Sequence, residues 1–596
     1  MKKNIIYSLL RIFLIAALAS CGGDDLVKPD TPDTPGTPDN PDTPTATAVV
    51  AHPAAFDGNK RAGTTYQILV YSFADSDGDG IGDFNGITQK LDYLDSLGVT
   101  AIWLSPIHPA SSYHGYDVTD YYAVNPKFGT EDDFERLIDA AHKKNIDIYL
   151  DYVLNHSSAK NTLWYSNETV KTWFTQACSS STNPYRNYYI FSEDPKSDIA
   201  AGKIDMIATE GANGYDSGQW FKVSSGTGAP VHFNSEQTYY HSHFWTDWFA
   251  DLNYGKAVDA SSSPAFKDLA KSADKWIGMG IDGMRLDAVK HIYHNESSDE
   301  NPTFLAQWYE HCDSAYKDQG NSDDFFIVGE VFSEASAVAR YYKGLPSCFE
   351  FSFWWRLKEA LNNQVGNTFP STILGYEKLY ASQRANPVES TKLSNHDEDR
   401  TASDLSKSPS KEKQACAFLL TAPGKPFIYQ GEELGYYGTK SNGDEYVRTP
   451  IMWDMAGTQL ASGALGGKVD KNMLSKAISV EAQNANPSSV LSVYKKFSRL
   501  RNTYQALASG TMSEHDAYNG NSAYKSIACW YMTSANGSEK MLVVHNVATT
   551  GTQSLTFQDD LSKPVAVLGR ATSLKNSDGT YTLNMSSNTS IVFQIK

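Results

Sequence analysis

Short strand-like segments recur along this chain, most of them rich in apolar residues, at 66–73, 100–105, 146–152, 281–287, 325–331, 348–353, 390–395 and 425–430. Each segment is strand-length. Between most of them lie longer stretches with apolar positions at helical spacing, as at 131–144 and 265–278. Strands alternating with amphipathic helices predict βα units and a parallel sheet. Eight such units predict an α/β fold, a (β/α)8 TIM barrel, over 61–506. Two stretches break the rhythm. Residues 157–255, after the third run, are rich in Tyr, Trp, Asn and Gly and follow no clean period. A structureless loop of that length is implausible in a compact domain, so an inserted subdomain is expected there. Val490 to Arg501 reads as a last helix. Beyond it, 507–596 carries alternating runs such as Lys540 to His545 and Ser590 to Ile595. These predict a C-terminal antiparallel β-sandwich.

The N-terminus follows another pattern. Lys2 and Lys3 precede an apolar run from Ile12 to Leu18, interrupted upstream by Arg11. This reads as a secretory signal over 1–20. The run is far short of the roughly 20 apolar residues that a spanning helix needs. It ends Leu18-Ala19-Ser20-Cys21, which looks like a lipoprotein processing box with Cys21 as the point of lipid attachment. Gly22-Gly23-Asp24-Asp25 resembles the acidic tag of outer-surface lipoproteins in Bacteroides-type bacteria. Residues 30–44, DTPDTPGTPDNPDTP, cannot bury a core, and their prolines keep the chain extended. The segment 21–60 therefore reads as an anchor and spacer. The localisation expected is the cell outer membrane, facing outwards.

Composition narrows the partners. Formal net charge is −18, which argues against nucleic acid or an anionic membrane surface and leaves neutral substrates open. The 35 Tyr and 12 Trp allow aromatic platforms for sugar rings, although most rings of this kind are core. With Cys21 lipidated, five cysteines remain, too scattered and too odd in number for a disulfide scaffold.

Three of the strand-like segments end in an acid. In Gly283-Met284-Arg285-Leu286-Asp287, Arg285 and Asp287 lie two apart and share a face of the strand. A neighbouring guanidinium favours the ionised carboxylate and lowers its pKa, which suits a nucleophile. Phe325 to Gly329 leads to Glu330, and an apolar setting there would raise its pKa. Lys392 to His396 leads to Asp397. Acids at the C-terminal ends of parallel barrel strands are placed for catalysis. Separately, Asp75, Asp77, Asp79 and Asp83 alternate through a glycine-rich loop, with the Ile81 carbonyl among them. Hard oxygen donors so spaced suit Ca²⁺. The loop begins like an EF-hand but has Gly86 where that motif places Glu.

GMRLDAVKH, VGEVF and LSNHDEDR, with DYVLNH at 151–156, resemble in order and spacing the four signature regions of the α-amylase family, glycoside hydrolase family thirteen. The resemblance runs from about 66 to 590. With the lipoprotein box it extends to surface-anchored starch-utilisation members from Bacteroides-type bacteria. It implies Asp287 as nucleophile, Glu330 as general acid/base and Asp397 as transition-state stabiliser. It implies that His156 and His396 hydrogen-bond the sugar at the cleavage point, with Tyr116 stacking on the ring, His114 assisting and Arg285 in support. Lys290 and His291 would line the leaving-group side. A second Ca²⁺ would use Asn155 and the His291 carbonyl. The activity implied is endo-acting hydrolysis of α-1,4 bonds in starch and related α-glucans by retaining double displacement. Asp251-Leu252-Asn253 stands where the family has a fifth region, but Phe249-Ala250 replaces its usual Gln-Pro or Met-Pro. Linkage therefore stays open to neopullulanase or α-1,6-glucosidase action and to 4-α-glucanotransferase. A non-catalytic starch-binding surface protein is the alternative from another class. Other surface starch-uptake proteins are possible partners.

Overall fold

The computed structural model describes residues 63–596, apart from 181, 210–213 and 224–237. The signal segment, Cys21 and the Pro/Thr/Asp spacer lie outside the described residues.

Eight parallel strands close into a barrel: β1 Thr64–Ile68, β2 Val99–Leu104, β3 Asp147–Val153, β4 Gly283–Asp287, β5 Phe326–Gly329, β6 Ser347–Glu350, β7 Val388–Lys392 and β8 Lys425–Tyr429. Each pairs with the next in sequence, and β8 pairs with β1. The first strand is shorter than its apolar run suggests. It stops at Ile68, and Val70–Phe73 turns into a short buried helix. Burial is continuous across both, so hydrophobicity alone does not mark the change. The seventh strand also stops early, at Lys392, so Asp397 sits in the following loop rather than at a strand end. There Asn395 Oδ1 accepts the Asp397 N–H at 2.8 Å, a side-chain turn that replaces the ladder.

The helices form where the pattern puts them. Helix α1, Glu131–His142, opens on a Thr130–Asp133 capping box and buries Phe134, Leu137, Ile138 and Ala141. Helix α2, Pro264–Gly278, opens on Ser263 with proline in its first turn. It buries Phe266, Leu269, Ala273 and Trp276, and Gly280 just beyond it takes φ +104°. Glycine adopts that backbone without a Cβ penalty, which ends the helix and redirects the chain into β4.

Trp103, Tyr149, Phe326, Val328, Phe349 and Phe427 fill the barrel interior. Trp103 and Phe427 pack on Phe349 at centroid distances of 5.3 and 4.9 Å. Gly283 leaves no room for a side chain, because a Cβ would stand 2.4 Å from the Phe326 carbonyl oxygen. Above this aromatic layer the inward positions become polar. Arg285 pairs in register with Asp151 of β3 and Val328 of β5. Its guanidinium lies 5.1 Å from the Trp103 ring.

The stretch between β3 and α2 carries its own small sheets. His156–Ser158 pairs with Phe249–Asp251, and Tyr239–His241 pairs with both Phe191–Ser192 and Trp220–Lys222. After the barrel come β9 Thr511–Glu514, β10 Ile527–Thr533, β11 Lys540–Asn546, β12 Thr552–Phe557, β13 Leu561–Leu568, β14 Ala571–Lys575, β15 Tyr581–Ser586 and β16 Thr589–Ile595. They form a five-stranded sheet, β9-β10-β11-β16-β13, and a three-stranded sheet, β12-β15-β14. Cys529, Leu542 and Phe593 of the first meet Leu555, Leu583 and Met585 of the second in one apolar core. The five cysteines of the described residues are free and buried.

Candidate active site

A cleft of about 470 Å³ opens at the C-terminal ends of the barrel strands, lined by His114, Tyr116, His156, Asp287, Lys290, His291, Glu330 and Asp397. A larger cavity, about 730 Å³, lies at the opposite strand ends near Asp323, Glu377, Glu389 and Pro423 and holds none of the motif acids. In barrels of this kind the chemistry sits at the C-terminal face, which favours the smaller cleft.

Arg285 organises the floor. One guanidinium nitrogen lies 2.7 Å from Asp151 Oδ1 and 2.9 Å from Asp287 Oδ1. The other lies 2.8 Å from Glu330 Oε2. Glu330 also accepts the Ala288 N–H at 3.3 Å. Beside the apolar strand expected to surround it, Glu330 therefore also meets a buried guanidinium and a backbone N–H. It stands one residue beyond β5, close enough to β4 to share the arginine. The expected lowering of Asp287 is also reversed. Burial pushes the carboxyls of Asp287 and Asp151 above their ordinary values, and Arg285 opposes this without cancelling it. The strand spacing identified the arginine but not how deeply it and the acids are buried together.

Asp397 has the opposite balance. Burial would raise its carboxyl, but His396, Arg448 and Lys440 together hold it well below the carboxylate range. His396 Nε2 lies 3.0 Å from Oδ2, while Arg448 and Lys440 lie 3.0 and 2.9 Å from Oδ1. Gln67 Nε2 lies 2.9 Å from His396 Nδ1. An amide N–H donated there leaves the imidazole proton on Nε2, between Tyr116 and Asp397. The Tyr116 hydroxyl, 2.7 Å from His396 Nε2, donates to Asp151 at 2.9 Å. Burial lowers His396, His156 and His114, His156 to about 4 and His114 to about 3. At neutral pH the His156 and His114 imidazoles are uncharged.

The remaining expected residues fall into place unevenly. His156 lines the cleft, but its nitrogens are engaged by the Tyr116 carbonyl and Asn155 Nδ2, each at 3.2 Å. Lys290 and His291 both face Glu296, at 3.4 and 3.2 Å. Carboxylates of Asp75, Asp77 and Asp83 converge to within 4.8 Å of one another, a donor set fit for Ca²⁺. Asp79 does not join them, because Lys127 holds it at 2.8 Å. The second site expected at Asn155 fits less well. Asn155 Oδ1 is buried without a partner among the described residues. The neighbouring Asp251 carboxylate is already taken by His241 Nδ1 at 2.7 Å and the His243 N–H at 2.9 Å. Sequence reasoning missed Asp151, Arg448, Asp444 and Lys440. Asp151 opens the DYVLNH motif and was available there. Arg448 sits in an irregular loop with no periodic or motif signal.

A parallel barrel with acids gathered over its strand ends defines a barrel hydrolase in architecture. Comparison with known proteins goes further. Residues 67–510 match the α-amylase catalytic domain. The chain is 45% identical to the α-amylase SusG of Bacteroides thetaiotaomicron, over 92% of this chain and 93% of that one. It is 35% identical to α-amylase 3 of Dictyoglomus thermophilum, over 81% and 84%. The structure overlays that of an α-amylase from H. orenii with a TM-score of 0.72 and 27% identity, covering 90% and 100% of the two chains. The chain belongs to the α-amylase family of glycoside hydrolases.

Proposed function

We propose that the protein is an endo-acting α-amylase that cleaves α-1,4 bonds of starch and related α-glucans with retention. The observation that carries the reading is the meeting of Asp287, Glu330 and Asp397 around one cleft, two of them on a single guanidinium. In this reading Asp287 attacks the anomeric carbon and Glu330 protonates the leaving oxygen. Glu330 then deprotonates water to release the glycosyl group. Asp397, kept ionised by its basic neighbours, stabilises positive charge as it develops on the sugar. Arg285 and Tyr116 hold the floor. His114, His156 and His396 stand where sugar hydroxyls would be met, and Lys290 and His291 line the leaving-group side. Ca²⁺ at Asp75, Asp77 and Asp83, with Ile81 O and a swung Asp79, would brace the loop after β1. A second ion at Asn155 and the His291 carbonyl would need Asp251 to exchange partners.

The lipoprotein box at Cys21, the spacer and the acidic tag support export to the outer surface of an outer membrane, where starch-uptake proteins would be neighbours. Among the described residues no helix is long and apolar enough to cross a membrane. The domain plan is a processed leader, an anchor and spacer to about 60, a barrel with its insert to about 506, and a C-terminal sandwich. The product profile on amylose, pullulan and isomaltose tests the function. Oligosaccharides of mixed length from amylose, with pullulan and isomaltose cut far more slowly, are expected. Rapid isomaltose cleavage, or no new reducing ends at all, would overturn the reading.

A further inference from the structure

Beside the leaving-group end of the cleft stands a histidine cluster of which the hydrolytic roles use only His291. His241 and His243 come from the insert, His291 and His294 from the loop after β4. The rings of His243 and His291 lie 4.1 Å apart, and those of His243 and His294 5.4 Å. His243 is only 5% exposed, yet among the described residues its Nδ1 has no hydrogen-bond partner. A buried polar atom left without a partner is costly, so its retention asks for a ligand. Its backbone is pinned on both sides: the N–H donates to Asp251 at 2.9 Å, and the carbonyl accepts from Gln219 at 2.9 Å. One donor atom each from His243, His291 and Glu296 lies within 4.8 Å of the others. His291 Nδ1 already faces Glu296 Oε1 at 3.2 Å.

We propose that His243, His291 and Glu296 bind a divalent ion of the Zn²⁺ type at the rim of the cleft, and that the bound ion slows hydrolysis. Two imidazoles and one carboxylate form a donor set that zinc accepts, leaving a fourth position for water. Donors around a tetrahedral zinc stand roughly 3.4 Å apart, so modest side-chain movement closes the site. Two imidazole nitrogens discriminate against Ca²⁺, which takes oxygen donors. Binding would take His291 Nδ1 and draw Glu296 away from Lys290, now 3.4 Å from it. His291 would then be held by the ion and Lys290 would lose its carboxylate partner, so neither cleft-lining residue would meet an incoming glucan as before. The effect on turnover rests on the amylase reading; the binding does not.

Calorimetric titration of the purified protein with Zn²⁺, in excess Ca²⁺ to occupy the acidic loop, tests the site without substrate. One Zn²⁺ per chain is expected. Glu296→Gln and His243→Asn should each weaken it more than about 10-fold; Glu296 is partly exposed, so the first variant should fold even if the second does not. Starch hydrolysis is then measured with and without Zn²⁺ in each protein. Inhibition that saturates over the concentration range of binding, is reversed by a chelator followed by Ca²⁺, and is absent from Glu296→Gln would support the proposal. A wild type that binds no Zn²⁺, or a Glu296→Gln protein that binds it as tightly, would overturn the site. Zinc bound there with turnover untouched would overturn the inhibition alone.

Discussion

Arg285 touches three carboxylates and is itself fully buried. A buried charge of that kind persists only when its partners are well placed and hydrogen-bonded to it. The same economy governs Asp397, whose ionisation depends on basic groups from another loop. Arg448 donates to Asp397 at 3.0 Å, to Asp444 at 2.9 Å and to the His396 carbonyl at 3.2 Å. A lysine cannot reproduce that fork. Arg448→Lys is expected to lower kcat on starch about 10- to 100-fold, the worth of a charge-assisted hydrogen bond, with little change in melting temperature. Unaltered kcat would remove Arg448 from the site. At this scale the acids were legible, because they close apolar strands or stand in motif order. Arg448 and Lys440 were not, since their place depends on how a loop after β8 folds over the barrel mouth.

Strands and helices were legible from periodicity alone, and their ends were not. The run at 66–73 stays buried through a change from strand to helix, and the run at 390–395 leaves the sheet three residues early. His108, in the loop after β2, illustrates how elements are tied together. It packs on Trp276 of α2 at 5.3 Å and bonds the Ala123 carbonyl at 3.0 Å. Burial pushes it down to about 4. Because the folded value lies below the unfolded value of about 6.5, the unfolded chain takes up a proton between those values that the folded chain refuses. The associated stability is fully present above about pH 6.5 and is lost as pH falls towards 4, by roughly 3 kcal/mol. His108→Gln should therefore flatten part of the acid slope of the melting temperature between pH 7 and 4.5. A parallel slope in the two proteins would contradict this. The acidic loop gives a second measurement. Ca²⁺ should raise the melting temperature by mass action. Asp77→Ala should shrink that gain more than Asp79→Ala, because Asp79 is held by Lys127. Equal losses would mean Asp79 moves to the ion without hindrance.

For the whole molecule, the barrel, its insert after β3 and the C-terminal sheets follow from the order of strand-like and helix-like runs. The packing between them rests on contacts far apart in sequence. His545 of β11, for example, stacks on Phe418 of the helix before β8 at 3.8 Å. No local pattern announces such a pair. The N-terminal segment has the reverse character: its composition speaks while the described structure begins at 63. If Cys21 carries lipid, Cys21→Ala should move the protein from the membrane fraction to the soluble one, since several acyl chains anchor far better than none. Unchanged fractionation would rule out the anchor.

The central claim is the division of labour between Asp287 and Glu330. General acid catalysis is worth roughly 10²–10⁴-fold and matters most for a poor leaving group. On starch, both Asp287→Asn and Glu330→Gln should be nearly inactive. On α-maltosyl fluoride the leaving group needs little help, so Glu330→Gln should still form the glycosyl-enzyme and Asp287→Asn should not. Azide, which needs no general base, should then restore turnover in Glu330→Gln alone, giving a maltosyl azide of retained configuration. If the two variants behave alike on the fluoride and azide changes neither, the roles given to these two carboxylates are wrong.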